Sequence, residues 1–267
     1  MLLNNKKCPN CECYYDPTLF ECPECHKDNE LRSRHGFFDN ITSLSPISQI
    51  AIFFIGFAYA GMLISELIFG VIFTTIGDLL YRKTLIVFFV YLSMLVGIAA
   101  VTLTTRRKLF LSNYKRPIDY AFGAAYTGAI LVTSMIVSAI INVFHPNGIN
   151  DNQNAAIEII NNYPIFAFFI ICLMGPICEE MTYRVGLFAF LKRINIVLAF
   201  VLSSLVFAFI HFNPLSGDII SELWALPNYL VPGAILAFAY YHRGPACSMT
   251  AHILYNLMSF LLTLLIK

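Results

Sequence analysis

From Ile47 to the C-terminus nearly all of the chain lies in long apolar runs, each of about the length a helix needs to cross a lipid bilayer. A helix rises 1.5 Å per residue, so about 20 apolar residues cover a hydrocarbon core of ~30 Å. Seven such runs fall near residues 47–76, 84–105, 119–144, 163–191, 194–212, 222–241 and 246–266. Backbone polar groups in lipid must be satisfied within their own segment, so the fold expected is all-α, a polytopic membrane bundle of about seven transmembrane helices. Composition agrees: 58% of the 267 residues are hydrophobic and only 12% are charged, against about 25% charged in soluble domains. A net charge of +1 gives no reason to expect nucleic acid or acidic substrates as partners. The first and fourth runs are longer than a crossing requires, so each is expected to be tilted, broken or partly interfacial, with Gly175-Pro176 the natural place for a kink in the fourth.

The first 36 residues read as a separate module, followed by a linker over 37–46 and the membrane domain over 47–267. Cys8-Pro9-Asn10-Cys11 and Cys22-Pro23-Glu24-Cys25 are two CxxC knuckles with ten residues between them. That spacing lets four thiolates converge tetrahedrally on one structural Zn²⁺, making the module a zinc ribbon. Disulfides are the alternative, and Cys13 or His26 could replace one ligand. So short a segment cannot bury a core of its own, so metal binding supplies its folding energy. Ribbons of this kind more often bind a partner or tether a domain than catalyse, so a cytosolic partner of unknown identity is expected. A polar, cysteine-rich N-terminus has no apolar core of the kind a cleavable signal peptide needs, so none is expected. Cys172, Cys178 and Cys247 lie in or beside apolar runs, where thiols pack rather than react.

Positive charge sets the expected orientation. Lys6, Lys7, Lys27, Arg32, Arg34, Arg106, Arg107, Lys108, Lys115, Arg116, Lys192, Arg193 and Arg243 would share one side of a seven-crossing chain. Only Arg82, Lys83 and Lys267 would face the other. This puts the N-terminus in the cytosol and the chain in the cell membrane, and a cytosolic ribbon fits a compartment that keeps thiols reduced. Trp224, beside Pro227-Asn228-Tyr229, reads as an interfacial anchor, and Glu66 as a residue near the outer interface.

Against this apolar background, Glu179-Glu180-Met181-Thr182-Tyr183-Arg184 puts three ionisable side chains into six positions. Each costs roughly 2.5–3.5 kcal/mol at the centre of a membrane helix on insertion scales, so such groups are functional by default. A structural salt bridge between helices is the plainer reading. Glu180 and Arg184, four apart, share one helical face and can neutralise each other, whereas Glu179 is rotated by about 100° and stays free for chemistry. Two further polar positions stand in later runs: His211, and His252 with Asn256 four residues on. A carboxylate, two imidazoles and an amide on three helices are the groups needed to activate a water and stabilise an oxyanion.

Glu179-Glu180 with Arg184, Phe207 with His211, and His252 with Asn256 reproduce, in order, the motifs EExxxR, FxxxH and HxxxN. In these the chain resembles the CPBP family, the CAAX proteases and bacteriocin-processing enzymes also called Abi proteins, over roughly residues 160–260. The resemblance implies a CAAX-protease-like intramembrane endopeptidase acting on a membrane-embedded or lipidated peptide or protein. Carried over by position, Glu179 with His211 would activate the attacking water, His252 with Asn256 would bind the oxyanion, and Glu180 with Arg184 would hold the first motif in place. A metal-bound version, with Glu, two His and Asn around a divalent ion, stays open beside the glutamate-activated water. So do two other functions: a non-catalytic scaffold or immunity protein docking through its ribbon, and a proton-relay transporter. Counted from the inner loops at 1.5 Å per residue, His252, Glu179 and His211 lie at depths of about 13, 20 and 26 Å, so tilt or a helix break must bring them together.

Overall fold

The computed structural model describes residues 6–8, 10–15, 21–25, 44–60, 63–105, 110–111, 113–146 and 148–266. Residues 26–43, with His26 and most of the expected linker, lie outside the described residues, as does the side chain of Glu66. The bundle is built from nine helices among the described residues: α1 (Pro46–Ala60), α2 (Leu63–Ile72), α3 (Leu79–Thr105), α4 (Pro117–Phe144), α5 (Asp151–Asn162), α6 (Pro164–Lys192), α7 (Ile196–Phe209), α8 (Ile219–Arg243) and α9 (Pro245–Leu265). Five of them, α3, α4, α6, α8 and α9, are long and apolar enough to cross a membrane, while α1 and α7 are shorter apolar helices. The first expected run is described as two helical stretches, α1 and α2, on either side of residues 61–62, which lie outside the described residues.

Proline sets several of these starts. Pro117, Pro164 and Pro245 each stand in the first turn of their helix, where the missing N–H would be an orphan anyway. Between α8 and α9 only Gly244 intervenes, at φ 84° and ψ −169°, a conformation essentially closed to residues with a Cβ. The chain can therefore reverse in one residue, which sets α9 beside α8 and carries His252 into the bundle.

α6 is the central helix. The apolar window of α6 is 56% buried, against 39% or less in the other four spans, and α6 packs on α1, α3, α7, α8 and α9. Met181, Val185 and Phe188 on α6 meet Met94 and Ile98 of α3 and Ala237 and Tyr240 of α8 in the largest core cluster. Close crossings rely on small residues. A Cβ on Gly56 of α1 would run into the Thr182 side chain, and one on Gly186 would meet the Phe53 backbone N at 2.9 Å. A Cβ on Gly123 of α4 would lie 2.8 Å from the Cys247 carbonyl oxygen on α9. Large apolar side chains face outward instead, including Val132, Met135 and Ile136 on α4, Val197 and Val201 on α7, and Leu261, Leu262 and Leu265 on α9. An apolar exterior around a polar-centred core is the arrangement of a multi-pass integral membrane protein.

The kink anticipated at Gly175-Pro176 takes another form. α6 runs on through that pair, and two π-helical stretches, Phe168–Met174 and Met181–Phe188, flank a short α-helical stretch at Gly175–Glu180. The N–H of Gly175 bonds to the Ile170 carbonyl, five residues back. In that register the next donor would be residue 176, aimed at the carbonyl of Ile171, and proline has no N–H to give.

α5 was not anticipated, because its sequence Asp151-Asn152-Gln153-Asn154 reads as an outer loop. The Asn150 side chain caps it by accepting from the Gln153 N–H at 3.0 Å, and Ile159 and Ile160 bury its other end against Ala167, Cys172 and Phe260.

In the N-terminal module, strands β1 (Lys6–Lys7) and β2 (Tyr14–Tyr15) pair antiparallel. The intervening turn, with Glu12 at φ 60°, brings the Cys13 carbonyl to the Cys8 N–H at 2.8 Å.

Candidate active site

Glu179 and Glu180 come from the α-helical centre of α6, His252 and Asn256 from α9, and Phe207 with His211 from the end of α7. The structure gathers the first motif and the third around one imidazole ring. His252 Nδ1 lies 3.1 Å from Glu180 Oε1, and His252 Nε2 lies 3.7 Å from Glu179 Oε2. The two carboxylates thus meet opposite nitrogens of the same ring. The 100° rotation that seemed to leave Glu179 alone is spanned by the width of the imidazole.

Glu180 is the more deeply held of the two, with no exposed side-chain surface, whereas Glu179 keeps 13%. Glu180 Oε2 sits 3.5 Å from Arg184 Nε, so it has the expected i,i+4 partner as well as His252. Arg184 is itself fully buried, donates from Nη2 to the Gly233 carbonyl at 3.2 Å, and stacks over Phe207 with Cζ 4.8 Å from the ring centre. The pair is only partly compensated, since Glu180 Oε2 and Arg184 Nε and Nη1 make no hydrogen bond among the described residues, a costly arrangement for buried charges. Glu179 accepts a hydrogen bond from Tyr91 Oη of α3 at 3.3 Å. Tyr91 lies outside every motif, and its only sequence signal is an aromatic hydroxyl midway along an apolar run.

Because a carboxylate accepts, the His252–Glu180 bond requires the proton on Nδ1 of His252. The same reasoning applies to His211, whose Nδ1 lies 2.8 Å from the Phe207 carbonyl and must donate to it. In the neutral ring this leaves Nε2 of His211 as an unprotonated acceptor. His211 makes no hydrogen bond or ion pair with Glu179 among the described residues. Phe207 stands between the two imidazoles, its ring 5.1 Å from His211 and 5.8 Å from His252. The aromatic residue of the FxxxH motif is therefore the packing centre of the site, touched also by Tyr183 at 5.7 Å.

Asn256 takes a different position from an open oxyanion donor. Its Nδ2 gives a 2.9 Å hydrogen bond to the Ile171 carbonyl, the acceptor that Pro176 leaves without a partner. The third motif is thus tied to the first through the backbone of α6.

Sequence reading gave the residues that surround His211 no part in the site, and placed Tyr229 in an interfacial anchor. Tyr229 of α8 stacks on the His211 ring at 4.3 Å and 17°. The His211 carbonyl, beyond the last turn of α7, accepts from Asn150 Nδ2 at 3.2 Å, and Tyr229 Oη donates to Asn150 Oδ1 at 3.2 Å. Glu222, 1% exposed, accepts from the Asp151 N–H at 2.7 Å and from the Asn213 N–H at 2.9 Å. The sequence signal that Glu222 carried was its place in the first turn of α8, where a carboxylate is ordinary.

A second polar feature adjoins Asn150 and Glu222 along the chain: a cavity of about 350 Å³ lined by His145, Pro146, Gly148, Ile149, Asn154, Asp218 and Ser221. The Ser221 hydroxyl donates to Asp218 at 2.6 Å, which leaves His145 Nε2 to donate to Ser221 at 2.7 Å. The hydroxyl and N–H of Ser221 hold the Asp218 carboxyl below the usual range. Ser221 is therefore occupied as a capping partner, not activated as a nucleophile.

In the ribbon, the ligating atoms of Cys8, Cys11, Cys22 and Cys25 all lie within 4.8 Å of one another. Four thiolates at the usual Zn–S distance of about 2.3 Å would have sulfurs about 3.8 Å apart. The observed Cys8–Cys25 and Cys11–Cys22 separations of 3.6 and 3.4 Å fit such a centre. The Asn10 N–H points at the Cys8 sulfur at 3.4 Å, as in metal-binding knuckles. Burial pushes the Cys22 thiol up, but hydrogen bonds from Cys13 and from the Cys25 and Glu24 backbone bring it down to about 6, favouring the thiolate a metal needs. Cys13 is a fifth thiol, 3.0 Å from Cys22.

Residues 161–258 match the family described as Type II CAAX prenyl endopeptidase Rce1-like. Two curated relatives align over a longer stretch. A UPF0177 protein, YvdC of Lactococcus lactis, is 26% identical over 58% of this chain and 56% of its own length. The membrane-embedded CAAX protease MroQ of Staphylococcus aureus is 24% identical over 62% of this chain and 71% of its own length. The chain thus spans little more than half of the first relative. No solved structure matches. The Rce1-like segment contains Glu179, Glu180, Arg184, His211, His252 and Asn256, all six of the candidate residues.

Proposed function

We propose that this chain, Rce1-like over residues 161–258, is an intramembrane endopeptidase. It hydrolyses a peptide bond of a membrane-embedded or lipidated peptide or protein with a water activated by Glu179. The observation that carries this reading is the pair of adjacent carboxylates gripping one imidazole inside an apolar bundle, one of them sealed and the other reachable. Glu180, paired with Arg184 and bonded to His252, fixes the ring. Glu179, with 13% of its side chain exposed, is the group that water can reach.

In the proposed reaction Glu179 takes a proton from water as the oxygen attacks the scissile carbonyl, with the Nε2 acceptor of His211 orienting the same water. The resulting oxyanion is met by donors on α9: His252 as imidazolium, which keeps Nδ1–H on Glu180 and offers Nε2–H, and the Asn256 amide, which must leave Ile171 or share its second N–H. Glu179 returns its proton to the leaving nitrogen as the C–N bond breaks, giving a carboxylate and an amine. The N-terminal module binds one structural Zn²⁺ through Cys8, Cys11, Cys22 and Cys25, faces the cytosol, and docks a partner there.

Quantitative proteomics of membranes carrying the wild-type or Glu179→Gln chain tests the proposal. New peptide termini within or beside membrane segments are expected with the wild type alone. Identical termini in both would leave a non-catalytic scaffold as the better account, and a lost ion flux without lost termini would indicate a proton-relay protein.

A further inference from the structure

The hydrolytic reading needs His211 to offer its Nε2 lone pair in one direction, yet His211 lies just past the end of α7, where a ring ordinarily turns freely. Its backbone N–H bonds to the Ala208 carbonyl at 3.1 Å in a closing turn, and its own carbonyl has no helical donor to follow. Left alone, this residue would fray. Three side chains outside the family motifs prevent that.

We propose that Tyr229 and Asn150, braced by Glu222, are positioning residues that hold His211 in a single tautomer and orientation for the reaction proposed above. Tyr229 covers one face of the imidazole at 4.3 Å and is nearly parallel to it, which opposes the ring flip that would put Cδ2 in place of Nδ1 at the Phe207 carbonyl and free the proton to move to Nε2. Asn150 closes a loop: its amide donates to the His211 carbonyl and its oxygen accepts from the same Tyr229 that stacks on the ring. Backbone and side chain of His211 are therefore tied to one pair of residues. Glu222 fixes where that pair stands. One of its oxygens holds the first N–H of α5, next to Asn150, and the other holds the N–H of Asn213, two residues after His211. A buried carboxylate with both oxygens on backbone N–H groups of separate segments is a clamp between them. The interhelical bonds converge on His211 from α5 and α8, elements that otherwise contribute no motif residue to the site.

The ¹⁵N shifts of imidazole nitrogens distinguish a protonated from a bare nitrogen, so the test reads the tautomer directly. The full chain, labelled with [¹⁵N]histidine and embedded in lipid nanodiscs, is compared with its Tyr229→Leu and Tyr229→Phe forms, and His211→Gln assigns the signals. The wild type and Tyr229→Phe, which keeps the stack, should show a bare Nε2 and a protonated Nδ1 for His211. Tyr229→Leu should show averaged shifts from two exchanging tautomers. Glu179-dependent termini should fall by about tenfold or more in Tyr229→Leu and recover in Tyr229→Phe. Averaged shifts in the wild type, or wild-type shifts in Tyr229→Leu, would overturn the proposal. If Tyr229→Leu does not fold, Asn150→Ala takes its place with the same averaging expected, and unchanged shifts there are equally fatal. Should the wild type generate no Glu179-dependent termini, hydrolysis fails as a reading while the tautomer result still decides the positioning role.

Discussion

At the scale of single residues, adjacent glutamates have been given unequal environments by helix geometry and one ring. Replacing Glu179 with Gln keeps the Tyr91 hydrogen bond and costs little stability, but it removes the proposed base. A loss of cleavage of about 10²–10⁴-fold with an unchanged melting temperature is expected. Removing the Arg184 side chain should do the reverse, since it strands Glu180 in a site with no exposed surface. A destabilisation of about 3–5 kcal/mol, read by denaturation in detergent, is expected for Arg184→Ala. Glu179, Glu180, Arg184, His211 and His252 were legible in the sequence because ionisable groups in apolar runs are costly enough to stand out, and Asn256 followed from its place four residues after His252. The contacts among them were less so. The pairing of both carboxylates with His252 needed the depth of α9 relative to α6, and Tyr91, Tyr229, Asn150 and Glu222 carry side chains that are unremarkable where they occur.

At the scale of the element, α6 shows what hydropathy reveals and what it hides. Its existence and approximate limits follow from the apolar runs Ile165–Ile177 and Val185–Leu191 on either side of the charged stretch, whereas its winding depends on which carbonyls find donors. Pro176 withholds one donor and Asn256 supplies another, 2.9 Å from the Ile171 oxygen. Asn256→Ala should therefore cost about 1–3 kcal/mol by leaving that carbonyl unpaired. Pro176→Ala restores an N–H, so the double variant Pro176→Ala/Asn256→Ala should be more stable than the sum of the single changes predicts, by about 1 kcal/mol in a double-mutant cycle. An additive cycle would separate the two residues. α5 was illegible for a different reason: its first turn is polar, and only Ile159 and Ile160 give it a buried face.

Across the whole molecule, metal chemistry and membrane chemistry occupy different stretches of chain. Stripping metal with a chelator, or changing Cys8 to Ser, should release about one zinc per chain and unfold the ribbon. The melting of the helical bundle should stay where it was, as separate calorimetric or fluorescence transitions would record. Crowding the crossing of α1 on α6 should act on the bundle alone, and Gly186→Val is expected to cost about 1–3 kcal/mol or more because the Phe53 backbone cannot retreat. The same crossing couples α1 to α6 mechanically. α1 is the first described helix after the ribbon module, and at Gly186 its backbone lies directly against the helix that carries both glutamates, while at Gly56 only the short Thr182 side chain intervenes. A displacement of α1 along this seam is therefore passed to α6, the helix of Glu179, as a rigid movement and is not absorbed by rotamer changes.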